Sequence, residues 1–393
     1  MEFELAQAAA ERLGVGVRTV QKWAKEGKLP GAIKVGRDWQ IPIGVTGPND
    51  MTEAATYKKS SSLRMPMPLL NSAFPVGGCR AYIDTIKDPD ERNLALGEYY
   101  FFSGHAETAA KITGSFLDHE DPVIRYSAEF INSFANLSCN HMHLANFSMG
   151  LMLEQLQKGV SEEISPEELA MSIFGALSGK ILFHLPVPEI PHVEEYVCYL
   201  PEGYRIHACY LLAHKAYLEK DYSRCLGIVD TALAISRNVY PIPMIHIHLM
   251  AAVALMNLMR VDEAKERFRK AWKLAQPDHL IGIFVMHHGM LQGLIEVLLK
   301  KDYPKEYQQI VEKVQSFRVG WSKVHSKDQK KDAPEKLTNT EFTIAMLYNR
   351  GWMVKEIAAH MEISDRTVNN RIQVIYAKLG ITSKKELGQF MLR

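Results

Sequence analysis

From about residue 79 to residue 317 apolar residues recur three and four positions apart, the period of helices with one buried face. Leu185-Pro-Val-Pro-Glu-Ile-Pro191 must interrupt that pattern, because proline withholds the amide a helix ladder needs. Shorter patterns flank it. Residues 4–13 read as a helix with Leu5, Ala9 and Leu13 inward. Gly14-Val15-Gly16 turns the chain, and residues 17–26 read as a second helix with Val20 and Trp23 inward. Gly27-Lys28-Leu29-Pro30 stops it, and residues 33–42 read as a tight hairpin with Gly36-Arg37-Asp38 at the tip. Near the other end, Thr338 and Glu341 stand at capping-box spacing before a helix closed by Gly351. A short helix follows, with Ile357, Ala358 and Met361 inward. Ser364 caps a third, whose inward face carries Val368, Ile372, Ile375, Tyr376 and Leu379, and Gly380 stops it. Ser383 caps a fourth carrying Leu387, Phe390 and Met391.

The predicted fold is mainly α, in five segments: a small winged unit over 1–43, a Gly/Ser/Pro-rich linker over 44–78, a helical sensor or interaction domain over 79–321, a Lys/Asp-rich linker over 322–336, and a four-helix unit over 337–393. Met51 is a candidate internal start. Within the centre, Ala264, Phe268 and Ala271 repeat the offsets of Cys225, Val229 and Ala232, 39 residues earlier. Ala145, Met149 and Met152 fall on the same offsets, as do Ala106, Ala110 and Thr113. Small residues there let antiparallel helices approach, as stacked helical hairpins require. Residues 214–236 and 255–277 loosely resemble tetratricopeptide repeats, and an irregular all-helical domain fits the same pattern.

Charge sharpens the division. Residues 1–47 carry seven Lys/Arg and five Asp/Glu, residues 336–393 carry nine and five, and the remainder carries 30 and 35. Basic ends around an acidic middle suit two anion-facing heads, although ordinary scatter gives the smaller imbalance too. Five cysteines without CxxC spacing predict free thiols and a cytoplasmic setting. The start is acidic where a signal peptide is basic, and no run of 18 apolar residues occurs, so no membrane partner is expected. No GxxxxGK[ST], GxSxG or HExxH is present, and Gly175-Ala-Leu-Ser-Gly179-Lys180 is one residue short of a phosphate loop. No enzyme, cofactor or metal is predicted. The histidines at 141, 143, 246, 248, 287 and 288 read as half-buried polar groups unless three helices bring them together. Phe147-Ser-Met-Gly-Leu-Met152 is the expected lining of any ligand pocket, or simply adaptable core.

The run Leu337-Thr338-x-x-Glu341, Lys355-Glu356-Ile357-Ala358, Ile363-Ser364-x-x-Thr367-Val368 and Ile375-Tyr376-x-Lys378-Leu379-Gly380 resembles the LuxR-type (GerE) helix-turn-helix over about 55 residues without a gap. Two positions depart from it: Asn369 stands where Lys is usual and Arg371 where His is usual. The resemblance implies a DNA-binding regulator with Arg366, Thr367, Asn369, Asn370, Arg371, Gln373, Lys378 and Lys355 at the duplex. It implies too a homodimer formed through Leu387 and Phe390 or through the central domain.

The run AAERLGVGVRTVQKWAKEGKLPGAIKVGRDWQIP resembles the excisionase/MerR-like module over about 40 residues. That resemblance implies Arg18, Thr19, Gln21 and Lys22 in the major groove, with Lys34 or Arg37 on the phosphate backbone. Gly16, where a polar residue is usual, makes a poorer start for the second helix. Two functions are compatible with the whole. One is a transcription regulator whose centre receives a small-molecule or protein signal. The other is an interaction scaffold whose N-terminal unit binds protein rather than DNA.

Overall fold

The described residues open in a strand, not a helix. In the computed structural model, β1 (Phe3–Leu5) pairs antiparallel with β3 (Asp38–Pro42), which pairs on its other side with β2 (Ile33–Val35), giving the order β1-β3-β2. Described are residues 3–13, 15–26, 28–29, 31–36, 38–43, 67–157, 165–187, 193–325 and 336–391. Helices α1 (Ala6–Arg12) and α2 (Val17–Lys25) complete the first unit, around Ala6, Ala9, Val20, Leu29 and Ile41. The expected inward Leu5 is instead 55% exposed, because in a strand it alternates away from the face that Glu4 occupies. The predicted hairpin is present with Val35 opposite Asp38. Arg37 and the prolines and glycines at 14, 27 and 30 lie outside the described residues.

The chain divides into two compact units, Met1–Leu63 and Arg64–Arg393. In the second, consecutive helices fold back on each other as hairpins. The first two pairs are α4 (Pro89–Phe102) with α5 (Ala106–Gly114) and α6 (Pro122–Ser138) with α7 (Met142–Gln157), preceded by α3 (Cys79–Thr85). After α8 (Pro166–Leu182) and the short α9 (Val193–Tyr196) come α10 (Glu202–Leu218) with α11 (Tyr222–Ile235), then α12 (Pro241–Asn257) with α13 (Val261–Ala275). The repeated positions do face the core: Ala145, Cys225, Val229, Ala264, Phe268 and Ala271 are fully or almost fully buried. The earliest repeat is shifted, with Ala109 rather than Ala106 or Ala110 buried beside Thr113. Helix α12 is buried nearly all round, as expected for a central element with helices on several sides.

The expected linker ends too late. Leu69, Leu70 and Phe74 are core residues. Leu69 donates its amide to Glu98 at 2.8 Å, and Asp278 accepts from the amides of Gly77 at 2.7 Å and Cys79 at 2.9 Å. Residues 67–78 therefore belong to the body. The remaining helices are α14 (Gly282–His287), α15 (Leu294–Leu299) and α16 (Pro304–His325), the last running past residue 322, where the second linker was expected to begin.

Candidate nucleic-acid interface

The C-terminal head contains α17 (Asn339–Asn349), α18 (Val354–Met361), α19 (Asp365–Leu379) and α20 (Lys384–Leu387). Its boundaries are set by local chemistry. Thr338 Oγ1 accepts from Glu341 N while the Glu341 carboxylate accepts from Thr338 N at 2.8 Å, a complete capping box. Ser364 caps α19 by accepting from Thr367 N at 3.1 Å. The sharp turn between α18 and α19 places Glu362 in the left-handed region, and Gly380, at φ +66°, ends α19 as glycine does most readily. Ser383 departs from expectation: its hydroxyl bonds the Glu386 carboxylate and caps no backbone amide.

Helix α19 buries Val368, Ile372, Ile375 and Leu379 and turns the other side outward. Arg366, Asn369, Asn370, Arg371 and Gln373 are exposed there, Thr367 is half-buried, and Lys355 on α18 is exposed. Lys378 is differently placed. Its ammonium reaches Glu341 at 2.7 Å, and Arg371 approaches the same carboxylate at 3.6 Å. Burial raises the Glu341 pKa, but bonds from Lys378 and Thr338 outweigh it and hold the carboxyl below its usual range. Lys378 thus ties α19 to α17, and its charge is already matched inside the head.

In the N-terminal unit Arg18, Gln21 and Lys22 are exposed on α2 with Thr19 half-buried beside them, and Lys34 is exposed on β2. Arg37, the other expected backbone contact, lies outside the described residues.

The head sits on the body. Arg350, at the end of α17, donates to Asn257 Oδ1 at 2.8 Å and to the Tyr217 hydroxyl at 2.7 Å. His360 bonds the Gln292 carbonyl at 2.8 Å, and Asn339 donates to the Val311 carbonyl at 2.9 Å. Arg318 donates to the Leu337 carbonyl at 2.6 Å and lies 4.6 Å from the centre of the Phe342 ring. Leu387 is 1% exposed, and Phe390 is half-buried against the core. The two residues expected to serve a dimer are thus turned into their own chain. The outer residues of α19 stay exposed, and the contacts just named run through α17, α18 and the segments that flank them.

Residues 335–391 match the family model described as bacterial regulatory proteins, luxR family, and residues 6–43 match that of a helix-turn-helix domain. No curated protein and no solved structure matches the chain. Fold and matches together define the class: this is a DNA-binding transcription regulator, with a LuxR-type helix-turn-helix at its C-terminus and a second helix-turn-helix at its N-terminus. Among the described residues, no helix is long and apolar enough to cross a membrane, and no three His, Cys, Asp or Glu are placed to hold a metal ion.

Sequence reasoning missed the attachment of head to body. Arg350, Arg318, Asn257 and Tyr217 belong to no motif, and their pairing spans 93 and 133 residues of chain at Arg350 alone. Of the two readings of the Met-rich run, adaptable core is the one Met149 and Met152 follow, while Phe147 is 59% exposed and none of the three lines the cavity between body and head.

Proposed function

We propose that α19 enters the major groove of double-stranded DNA with Arg366, Thr367, Asn369, Asn370 and Gln373 toward base edges, and that Arg371 and Lys355 contact phosphates. The carrying observation is that the α19 groups among them share the outer side of a helix whose opposite face is committed to the head's core, with Lys355 exposed on the neighbouring α18. Amide and guanidinium groups can read base edges, and basic groups beside them release counterions from phosphates. On this reading 337–393 is the DNA-binding domain, 1–43 a second reader using Arg18, Thr19, Gln21, Lys22, Lys34 and Arg37, and 79–321 the domain that receives a small-molecule or protein signal. A footprint of the full chain on genomic fragments tests it. Asn370→Ala is expected to relax preference at one base pair. Arg371→Ala is expected to weaken binding on all sequences and to reduce the salt slope by about 1. An unchanged footprint and slope in both variants would rule out this docking.

A second reading for the N-terminal unit has its own support. Ile33 and Val35 are 45% and 51% exposed, and both lie on β2, an edge strand. An apolar sheet edge suits protein better than phosphate. Deleting residues 1–50 separates the two. Loss of a second DNA footprint supports a reader, while an intact footprint with loss of a bound protein supports a protein-binding module.

A further inference from the structure

Between the body and the C-terminal head lies a cavity of about 190 Å³. Its walls are mostly aromatic and aliphatic, with Leu70, Phe101, Phe130, Phe134, Phe317 and Trp321 among them. Four residues of the head, Phe342, Met346, Arg350 and Phe390, close one side. A cavity of about 150 Å³ suffices for a benzene ring, so this one holds a ring with a short substituent.

The polar groups in the wall are unusual for an unused void. Arg318 is 8% exposed, and although its guanidinium lies over the Phe342 ring, its Nε and Nη1 have no hydrogen-bond partner among the described residues. No described carboxylate pairs with it; its hydrogen bonds go to the neutral Gln315 amide and the Leu337 carbonyl. Burial lowers its pKa only to about 10, so it stays charged at neutral pH. A buried cation without a counter-charge is costly, and an anion beside it recovers much of that cost. His246, 4% exposed, has neither ring nitrogen partnered, and His207, 5% exposed, lacks a partner at Nδ1. Desolvation keeps both imidazoles neutral, so each offers one donor and one acceptor. Binding sites for small molecules have this make-up: an apolar surround with a few convergent polar groups.

We propose that this cavity binds a small apolar molecule, about the size of one aromatic ring with a short chain, that carries a single anionic group held by Arg318, with His207 and His246 as further hydrogen-bond partners. The inference rests on the reading that residues 79–321 receive a small-molecule signal, and it supplies the chemical class of that signal. It also supplies a route to DNA. Arg318 touches the head through Leu337 and Phe342, and Phe390 is part of the wall, so occupancy and the seating of the head are thermodynamically linked.

The full chain is titrated by calorimetry with phenylacetate and phenylpropanoate, each beside its own primary amide. The acids are expected to bind at least about tenfold more tightly than the amides, the value of one charge-assisted hydrogen bond. Arg318→Gln is expected to remove that preference, and Arg318→Lys, which keeps the charge and guards against a folding defect, to retain part of it. Trp321 emission provides a second readout that Trp321→Phe removes. Failure of both acids to bind, or equal affinity of acids and amides for the unaltered chain, overturns the proposal. DNA affinity is measured separately with and without the acid. Arg318-dependent binding with unchanged DNA affinity keeps the site and removes the signal-receiving reading. Intact DNA binding with no acid binding removes the site and leaves the regulator.

Discussion

Arg350 Nη2 lies 2.7 Å from the hydroxyl of Tyr217, so the residue that caps the end of the first head helix is fastened to a helix of the body. Arg350→Ala removes this bond and the one to Asn257, leaving two polar partners without their donor. The bonds involve a charged donor that is half-buried, so the expected cost is about 1–3 kcal/mol of docking energy. Hydrogen exchange should show faster opening of residues 338–391 with α12 unaffected. Uniform protection across both would refute a specific fastening role.

Gly293 marks a second point where the head comes close to the body. Its φ is +87°, and a Cβ there would lie 2.7 Å from Met361 Sδ and 3.1 Å from Thr343 Cγ2, both on the head. Gly293→Ala therefore combines left-handed strain of about 1–2 kcal/mol with a steric push on the head. Limited proteolysis is expected to release a C-terminal fragment sooner than in the unaltered chain. Identical cleavage rates would show that the interface gives way without cost.

Inside the head, Glu341 serves the capping box and Lys378 together. Glu341→Ala removes the acceptor for the Thr338 amide and strands the Lys378 ammonium. A thermal unfolding experiment is expected to show destabilisation of about 1–3 kcal/mol, whereas Glu341→Gln, which can still complete the box, loses less. Equal losses would mean that the cap contributes little and the ion pair carries the effect.

Acid is expected to weaken the body. Burial lowers the pKa of His207 and His214 to about 3 and of His287 to about 4, and takes that of His246 well below the usual value. Once unfolded, each titrates near 6.5. Below that pH the unfolded chain therefore binds protons that the folded chain refuses, and stability falls as pH drops from 6.5 toward the folded values. Glu98, raised to about 8 by burial, acts in the opposite direction, but it is one group against four. At about pH 5 each such histidine withdraws on the order of 2 kcal/mol. The melting temperature should therefore drop between neutral pH and pH 5, with a shallower slope in His246→Phe. A flat profile would show that these imidazoles can be protonated in place.

The C-terminal head was legible because its signals are local. The Thr338–Glu341 box, the Ser364 cap, the stop at Gly380 and the period of Val368, Ile372, Ile375 and Leu379 all act within a few residues of one another. Strand β1 was not, because residues 3–5 are extended only by pairing with residues 40–42. The segment 67–78 reads as a linker in the sequence because proline and glycine report that helix is absent, not that packing is absent; Leu69 and Leu70 are the residues that tie it to the core. The cavity was beyond reach. His207, His246 and Arg318 come from three separate helices, and only the folded chain brings them to the lining of one cavity.

The burial of Leu387 at 1% and the insertion of Phe390 into the cavity wall bear on self-association. A second copy seeking that anchor competes with a neighbour covalently attached to it, whose effective concentration does not fall on dilution. Raising the amount of protein is therefore an inefficient way to drive pairing through this surface, and loosening the intramolecular grip an efficient one.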